Sequence, residues 1–398
     1  MLNVRAAMLA ILVAGCGDNL AAPPDADIPD APMADAAFAP AAHYAQPQGT
    51  TLGGPTLSAP NVVPIFFTGD SDMQGQIEGF LDALPGSHYW NATTSEYAVG
   101  DITIQPSIVS SDTPPTTDDA LQAWIVLNSD GLHGWPANTP NTIYTVFLPD
   151  GVVLTAGGSM SCSSFGGYHD ETQTGSVIYA LLPRCQSGVL GGITPAISHE
   201  LVEASTDPFP ETMGAYQNTD AAHAIWGLIP GGELGDMCEF VDSAYDHSLG
   251  SYLVQRTWSN TAAATGHDPC VPQDPATAYR GAVPLLTDHL PFTDSEGNSV
   301  TTDGVAVATG TSRTVEIDMF SDIPTDLWQV EAIDVASRFE GSAAELQLSL
   351  DHNAGKNGDK LNLTIHRIKA GQFGGSVALV ESFIGGNTVS EFWVWVSN

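Results

Sequence analysis

The chain has very little positive charge. Lys and Arg together number 10 against 46 Asp and Glu, so the formal net charge is −36 over 398 residues. A negative field of this size repels phosphate groups, which excludes nucleic acid as a partner. It attracts cations, so basic peptides and metal ions are the ligands that the charge favours, although an acidic surface also serves solubility alone.

Long hydrophobic runs are also missing. The apolar stretch near the N-terminus, AAMLAILVAG, is too short to span a bilayer. Arg5 precedes it and Cys16 follows it, which resembles a bacterial lipoprotein signal with a lipidated cysteine. We therefore expect an export signal at 1–16 and a lipid anchor on Cys16 in a membrane. Gly17 after the cysteine favours the outer membrane or cell surface of a Gram-negative bacterium. The alternative is an ordinary secretory peptide with an incidental cysteine.

No CxxC pair is present, which argues against a zinc-thiolate site. Five cysteines are present, and removing Cys16 leaves an even set, which in an exported protein predicts two disulfides. The order along the chain favours the pairs Cys162–Cys185 and Cys238–Cys270, although the sequence permits three pairings.

The composition divides the rest of the chain into three parts. Residues 17–58 are rich in Ala, Pro and Asp and are expected to form a disordered tether. Residues 59–273 alternate strands with helices, which predicts an α/β domain with a largely parallel sheet and flanking helices. Residues 274–398 contain evenly spaced short strands without a helical period, which predicts an all-β, sandwich-like, antiparallel domain.

The segment AISHELVEASTDP is typical of a metal-binding helix. Thr194 is the expected N-cap, and Pro208 ends the helix. His199 and Glu203 are four residues apart, so they project from the same face and can bind one ion. Glu200 stands where the zinc-peptidase pattern H-E-x-x-H has its general base, so we expect it to be catalytic and not a ligand. The alternative to metal binding is that His199 and Glu203 form only a hydrogen-bonded pair at the surface.

Further ligands must come from elsewhere in the chain. Glu233 and Asp236 lie on the Gly-rich stretch GGELGDMC, next to Cys238, and His169 lies on a second Gly-rich stretch, GGYH. Imidazole and carboxylate ligands suit zinc, and the high carboxylate content makes calcium or manganese more plausible than with H-E-x-x-H. A separate calcium site is the alternative for a turn near the C-terminus, although turns favour these residues anyway. Its candidate ligands are Asp351, Asn353, Asn357 and Asp359.

The order of these segments resembles a known family of secreted proteins. NVVPIFFTGD is followed by HYWNATTSEY, VGDITI, NTIYTVFLPDGVVL, GGYH, VIYALLPRC, ISHELVEASTDPF and GDMCEF. The series is similar to the phosphate-induced, or EXORDIUM-like, family over residues 60–272. The resemblance implies an extracellular protein whose fold does not need metal, since plant members lack the helix His and Glu and have TVTNPF where this chain has STDPF. Their role in plant growth does not transfer.

Two functions follow as hypotheses. The first is a surface-anchored zinc hydrolase, specifically a peptidase acting on peptides. A serine nucleophile has no support because no G-x-S-x-G segment is present. The second is a non-catalytic cell-envelope protein that binds a cell-surface polymer, such as polysaccharide, or a protein. Its candidate stacking residues are Tyr216, Trp226 and Trp258, although such aromatic side chains are more often in a core.

Overall fold

The computed structural model describes residues 38–69, 71–294, 297–339, 342–371 and 374–398. The helices are α1 Ser71–Leu81, α2 His88–Thr94, α3 Asp118–Asn128, α4 Thr194–Thr206, α5 Ala224–Leu228 and α6 Asn260–Thr265. The strands up to residue 273 are β1 Gly49–Thr51, β2 Asn61–Phe67, β3 Thr103–Ile104, β4 Ile108–Ser110, β5 Thr142–Phe147, β6 Thr155–Ala156, β7 Ser159–Met160, β8 Tyr168–Glu171, β9 Ile178–Leu182, β10 Tyr216–Thr219, β11 Tyr245–Leu249, β12 Tyr252–Gln255, β13 Thr257–Trp258 and β14 Cys270–Val271. Those after it are β15 Arg280–Pro284, β16 Asp288–Thr293, β17 Ser299–Ala306, β18 Ser312–Ser321, β19 Trp328–Asp334, β20 Leu346–Leu350, β21 Ala354–Gly355, β22 Lys360–Arg367, β23 Ser376–Ile384 and β24 Asn387–Ser397.

The first large sheet is mostly parallel, as the sequence predicts. Its strand order is β3-β2-β5-β9-β8, with β4 also paired to β2. Strands β2, β3, β4, β5 and β9 pair in parallel, and β8 runs antiparallel to β9 at the edge. Both faces of the sheet are covered by hydrophobic cores, as the side chains of β2 show. Val62 and Phe66 face one hydrophobic core, and Val63 and Ile65 face another.

Helix α4 packs on this sheet through its apolar face. Ile197, Leu201 and Ala204 are fully buried in the same core as Val62 and Phe66. The predicted N-cap is wrong, because the helix begins at Thr194 itself, and its hydroxyl donates instead to the carbonyl of Leu253 at 2.6 Å. The predicted end is confirmed, since the helix ends at Thr206, two residues before Pro208.

The C-terminal region, residues 274–398, is mostly β, as predicted. A four-stranded sheet has the order β15-β18-β22-β20, and a six-stranded sheet has the order β16-β17-β24-β23-β19-β21. Buried side chains of both sheets, such as Leu363 and Leu379, belong to one core. The expectation of a purely antiparallel region is wrong at one place, because β17 and β24 pair in parallel. Strand β24 is the last in the chain and inserts between β17 and β23.

The predicted domain limits need correction at both ends of the α/β region. Within the predicted tether, residues 38–58 are packed on the protein, and β1 pairs antiparallel with β10. At the other limit, Trp226 and Trp258 belong to the same core as Phe392 of β24, so one core extends across residue 273. Composition missed both features because the contacts join segments that are far apart in the chain. The predicted signal at 1–16, with Cys16, and tether residues 17–37 lie outside the described residues.

Two disulfides join the pairs that the chain order favours. Cys162 is bonded to Cys185, and Cys238 is bonded to Cys270. Disulfides persist in oxidising compartments and therefore indicate an extracellular or exported protein. No helix within the described residues is long and apolar enough to cross a membrane.

The turn considered for calcium uses its side chains to bind the backbone. Asp351 Oδ1 accepts hydrogen bonds from the N–H groups of His352 and Asn362, at 2.9 Å each. Asn357 Oδ1 accepts from the N–H groups of Ala41 and Ser321. These contacts are the usual role of Asp and Asn in turns.

Candidate metal centre

Helix α4 brings the first two candidate ligands together. His199 and Glu203 lie one helical turn apart, and Nε2 of His199 is 2.9 Å from Oε2 of Glu203. Glu203 is buried, whereas the His199 side chain retains 12% exposure. The i, i+4 spacing read from the sequence therefore gives a pair whose polar atoms meet at the edge of the core.

The Gly-rich turn after α5 holds the Glu203 carboxylate in one orientation. Oε1 of Glu203 accepts hydrogen bonds from the backbone N–H groups of Gly235 and Asp236, at 3.0 and 3.1 Å. Oε2 is thereby turned towards His199. Gly235 permits this approach, because a Cβ at that position would lie 2.7 Å from both Oε1 of Glu203 and Nδ1 of His199.

Asp236 and Glu233 enter from the same turn, as the sequence predicts. Oδ1 of Asp236 lies 3.5 Å from Nε2 of His199. Oε2 of Glu233 lies 3.9 Å from Nδ1 of His169. The two carboxylates therefore face different histidines, a division that no spacing in the sequence indicates.

His169 reaches the same place from strand β8. Besides Glu233, its Nδ1 faces Oε2 of Glu200 at 3.5 Å and Oε2 of Glu203 at 3.7 Å. All six predicted site residues therefore converge. We call them the His/carboxylate centre: His169, His199, Glu200, Glu203, Glu233 and Asp236.

Two residues that sequence reasoning did not assign to the centre fix the orientation of the histidines. Nδ1 of His199 lies 3.0 Å from Oε1 of Gln255, whose own amide donates to the carbonyl of Gly235 at 2.7 Å. Nε2 of His169 lies 3.1 Å from the backbone carbonyl of Asp207. Both partners are acceptors, so these ring nitrogens carry the protons. The inward nitrogens, Nε2 of His199 and Nδ1 of His169, face the carboxylates and can bind a metal ion that displaces their protons.

The longer distances in the centre fit ligands of a shared ion better than hydrogen bonds. Hydrogen bonds to nitrogen are about 2.7–3.2 Å long, whereas the contacts of His169 Nδ1 with Glu200 and Glu203 are 3.5 and 3.7 Å, and these three residues form one compact group. Two ligands at about 2.1 Å from one zinc ion in tetrahedral geometry lie about 3.4 Å apart. The residues present therefore fit a metal ion.

Burial and mutual proximity shift the pKa values of the ionisable side chains in the centre. Burial raises the pKa of the Glu203 carboxyl to about 7 and holds that of Asp236 well above its ordinary value. Burial lowers the pKa of His169, but Glu233, Glu200 and Glu203 outweigh it and raise that pKa to about 10. The carboxylates around His199 raise its pKa in the same way. In the metal-free protein, protons thus neutralise charge that divalent cations can neutralise instead.

The aromatic residues considered for ligand stacking are not on an open surface. Trp226 is fully buried and Trp258 is 3% exposed. Tyr216 is half-buried and packs edge-on against Tyr97. Trp226 and Trp258 belong to the core that extends across residue 273, and Tyr216 packs against it.

Comparisons with known proteins do not assign a function. No family model and no curated protein matches the chain. Domains 5-6 of the S-layer protein SbsC have 16% identity and a TM-score of 0.18, over 29% of this chain and 44% of that chain. A twitchin kinase fragment from C. elegans has 14% identity and a TM-score of 0.17, over 30% and 20%. The titin M3 domain has 14% identity and a TM-score of 0.15, over 29% and 97%. Scores this low carry no argument.

Proposed function

We propose that the protein is an exported, metal-dependent hydrolase whose substrates are peptides. The observation that carries the proposal is the meeting of two histidines and four carboxylates, with the outward ring nitrogens bound to acceptors so that the inward nitrogens face the carboxylates. Zinc is the ion that this mixture of imidazole and carboxylate suits best, with calcium and manganese as the carboxylate-rich alternatives.

The roles follow from the positions of the side chains. His199, Glu203 and Asp236 would hold the metal, which would supply a Lewis acid for the scissile carbonyl. Glu200 accepts the proton of the attacking water on its carboxylate. Nδ1 of His169 lies 3.5 Å from Oε2 of Glu200, so this histidine stands beside the proposed base.

The substrate reaches the centre from one side. The side chains of His199 and Asp236 are each 12% exposed and that of Glu233 is 15% exposed, whereas His169 and Glu203 are each only 3% exposed. The open edge is therefore formed by His199, Asp236 and Glu233. The net charge of −36 favours basic peptides at this edge.

The proposal also includes a lipid anchor and membership of a family. We infer that Cys16 carries a lipid and that the folded part is tethered to the outer membrane or cell surface of a Gram-negative bacterium. We also infer membership of the EXORDIUM-like family over residues 60–272. Cell fractionation tests the anchor: Cys16→Ser should leave the membrane fraction, and unchanged partitioning would contradict it.

Two substitutions on α4 test the hydrolase proposal. Glu203→Ala should lose bound zinc, because it removes the carboxylate that faces both histidines. Glu200→Gln should retain the zinc ion at His199 and the fold but lower peptide cleavage by roughly 10²–10⁴-fold, because an amide cannot accept the proton. Elemental analysis, circular dichroism and cleavage of a basic peptide library provide the measurements. His133→Ala is the matched control, since that histidine is 49% exposed.

The outcomes separate the candidate functions. Full zinc occupancy in a folded Glu203→Ala protein would refute the proposed metal site on α4. The alternative function, a cell-envelope binding protein, would then be favoured. Loss of the zinc ion at His199 from Glu200→Gln would make Glu200 a ligand of that ion and not the base. A parent protein that binds zinc stoichiometrically yet cleaves no peptide would show that the metal is structural.

A further inference from the structure

Glu203 lies between the two histidines of the His/carboxylate centre. Its Oε1 is held by the N–H groups of Gly235 and Asp236. Its Oε2 faces Nε2 of His199 at 2.9 Å and Nδ1 of His169 at 3.7 Å. One fixed oxygen atom is therefore presented to two histidines at once.

The two histidines are too far apart to bind a single ion in this arrangement. His169 groups with Glu200 and Glu203, or with Asp207 and Glu233, and His199 groups with Glu203 and Asp236, with all ligand atoms of a group within 4.8 Å. Across the described parts of the chain, no such group contains both histidines. Two ligands of one zinc ion can be at most about 4.2 Å apart, twice the length of a zinc–ligand bond.

Each half has the ligands for an ion of its own. His199, Glu203 and Asp236 form the first half, where Nε2 of His199 is 3.5 Å from Asp236. His169, Glu200 and Glu203 form the second half, where the distances from Nδ1 of His169 are 3.5 and 3.7 Å. Each half thus has one imidazole nitrogen and two carboxylates, a set typical of zinc sites.

The charge of the centre also calls for two cations. With both histidines neutral, Glu200, Glu203, Glu233 and Asp236 carry four negative charges in a largely buried volume. One divalent ion would neutralise only two of these charges and leave the other two to be neutralised by protons, as in the metal-free protein. Two divalent ions neutralise the set.

We propose that the His/carboxylate centre binds two divalent cations, one at each histidine, with Glu203 as their shared ligand. The proposal rests on the metal-dependent function above and specifies its cofactor. Paired metal ions are a known arrangement in hydrolases, including aminopeptidases.

Zinc stoichiometry tests the proposal directly. Titration calorimetry of the metal-free protein with zinc, together with elemental analysis, should give two equivalents for the parent and for the exposed-histidine control His133→Ala. His169→Ala and His199→Ala should each bind one equivalent, because each removes one half. Glu203→Ala should bind neither tightly, with affinity at least about tenfold weaker at both positions. Glu203→Gln, which keeps the shape of the side chain, replaces it if circular dichroism shows misfolding.

Manganese spectroscopy tests the shared ligand. Parent protein loaded with two equivalents of Mn²⁺ should give the electron paramagnetic resonance spectrum of a coupled pair, and His169→Ala should give that of an isolated ion. One equivalent of zinc in the parent, unchanged stoichiometry in His169→Ala, or an uncoupled spectrum at full loading would each overturn the proposal.

The stoichiometry and the hydrolase function can fail separately. Two bound ions without peptide cleavage would refute the function and leave the paired site intact. Peptide cleavage by a protein that binds only one ion would support the hydrolase function and refute the paired site.

Discussion

At Gly235 the backbone passes so close to the centre that a side chain has no room. A Cβ there would lie 2.7 Å from Oε1 of Glu203 and from Nδ1 of His199. The backbone of Gly235 has ordinary helical dihedral angles, with φ of −73°. The requirement for glycine is therefore steric and comes from the metal-binding side chains, not from the conformation of the turn.

Gly235→Ala should displace the Glu203 carboxylate and lower zinc affinity by at least about tenfold, the usual effect of disturbing an orienting contact. Stability should fall by about 1–3 kcal/mol from overpacking. Gly75→Ala is the control, because Gly75 is an exposed residue in α1 with no atom within 4 Å of an added Cβ. That change should stabilise the protein by about 0.5–1 kcal/mol. Calorimetric titration and urea denaturation measure both effects, and unaltered zinc binding in Gly235→Ala would contradict the prediction.

Gln255 shows how much of the centre is set by residues without a recognisable pattern. Its amide joins His199 to the carbonyl of Gly235 and so links α4, β12 and the Gly-rich turn. A glutamine at the end of an apolar strand has no signal in the sequence. Asp207 was visible only as part of the TDP segment after the helix, and it acts on His169 through its backbone carbonyl.

Among the structural elements, the Gly-rich turn depends on a covalent connection. Asp236 and Cys238 lie in one short 3₁₀ turn, Asp236–Cys238, and Cys238 is bonded to Cys270 of β14. Strand β14 is in turn paired with β13. The disulfide therefore fixes the element that supplies Asp236 and the N–H groups that bind Glu203.

Removing each disulfide by a double Cys→Ser substitution should separate stability from metal binding. Loss of either bond should lower the free energy of unfolding by about 2–4 kcal/mol, because each closes a loop of a few tens of residues. Loss of Cys238–Cys270 should also weaken zinc binding. Loss of Cys162–Cys185 should leave zinc affinity unchanged, since its residues donate nothing to the centre. Equal zinc affinities in the two variants would argue against a positioning role for the Cys238–Cys270 bond.

For the whole molecule, the N-terminal segment connects the two regions. Tyr44 donates a hydrogen bond to Asp303 of β17, and His43 stacks on Phe320 of β18. Further along, β1 pairs with β10, and Leu57 is buried in the core beneath α4. Residues 38–58 therefore belong to the folded unit.

A protein that begins at residue 59, the limit predicted from composition, should be less stable than one that begins at residue 38. The loss of Leu57 burial alone accounts for about 1.5–3 kcal/mol. A protein that begins at residue 17 is the control, and its stability should match that of the protein from residue 38. Thermal and urea unfolding of the three proteins provide the comparison. Equal stability for the proteins from residues 38 and 59 would show that the N-terminal contacts contribute little.

The sequence by itself determined the elements and the candidate ligands. Periodicity and the Pro208 stop predicted α4, the i, i+4 spacing predicted that His199 and Glu203 share a face, and chain order favoured the observed disulfides. Local rules suffice for these features because they depend on neighbours a few residues apart or on a small number of possible pairs.

Only the tertiary structure decided which side chains meet across the chain. The contacts of His169 with Glu200, of His199 with Gln255 and of β17 with β24 join segments whose approach no local pattern encodes. The core that extends across residue 273 is of the same kind, because apolar burial is non-directional and fixes no particular partner. The division of the carboxylates between two histidines therefore follows from packing and not from spacing.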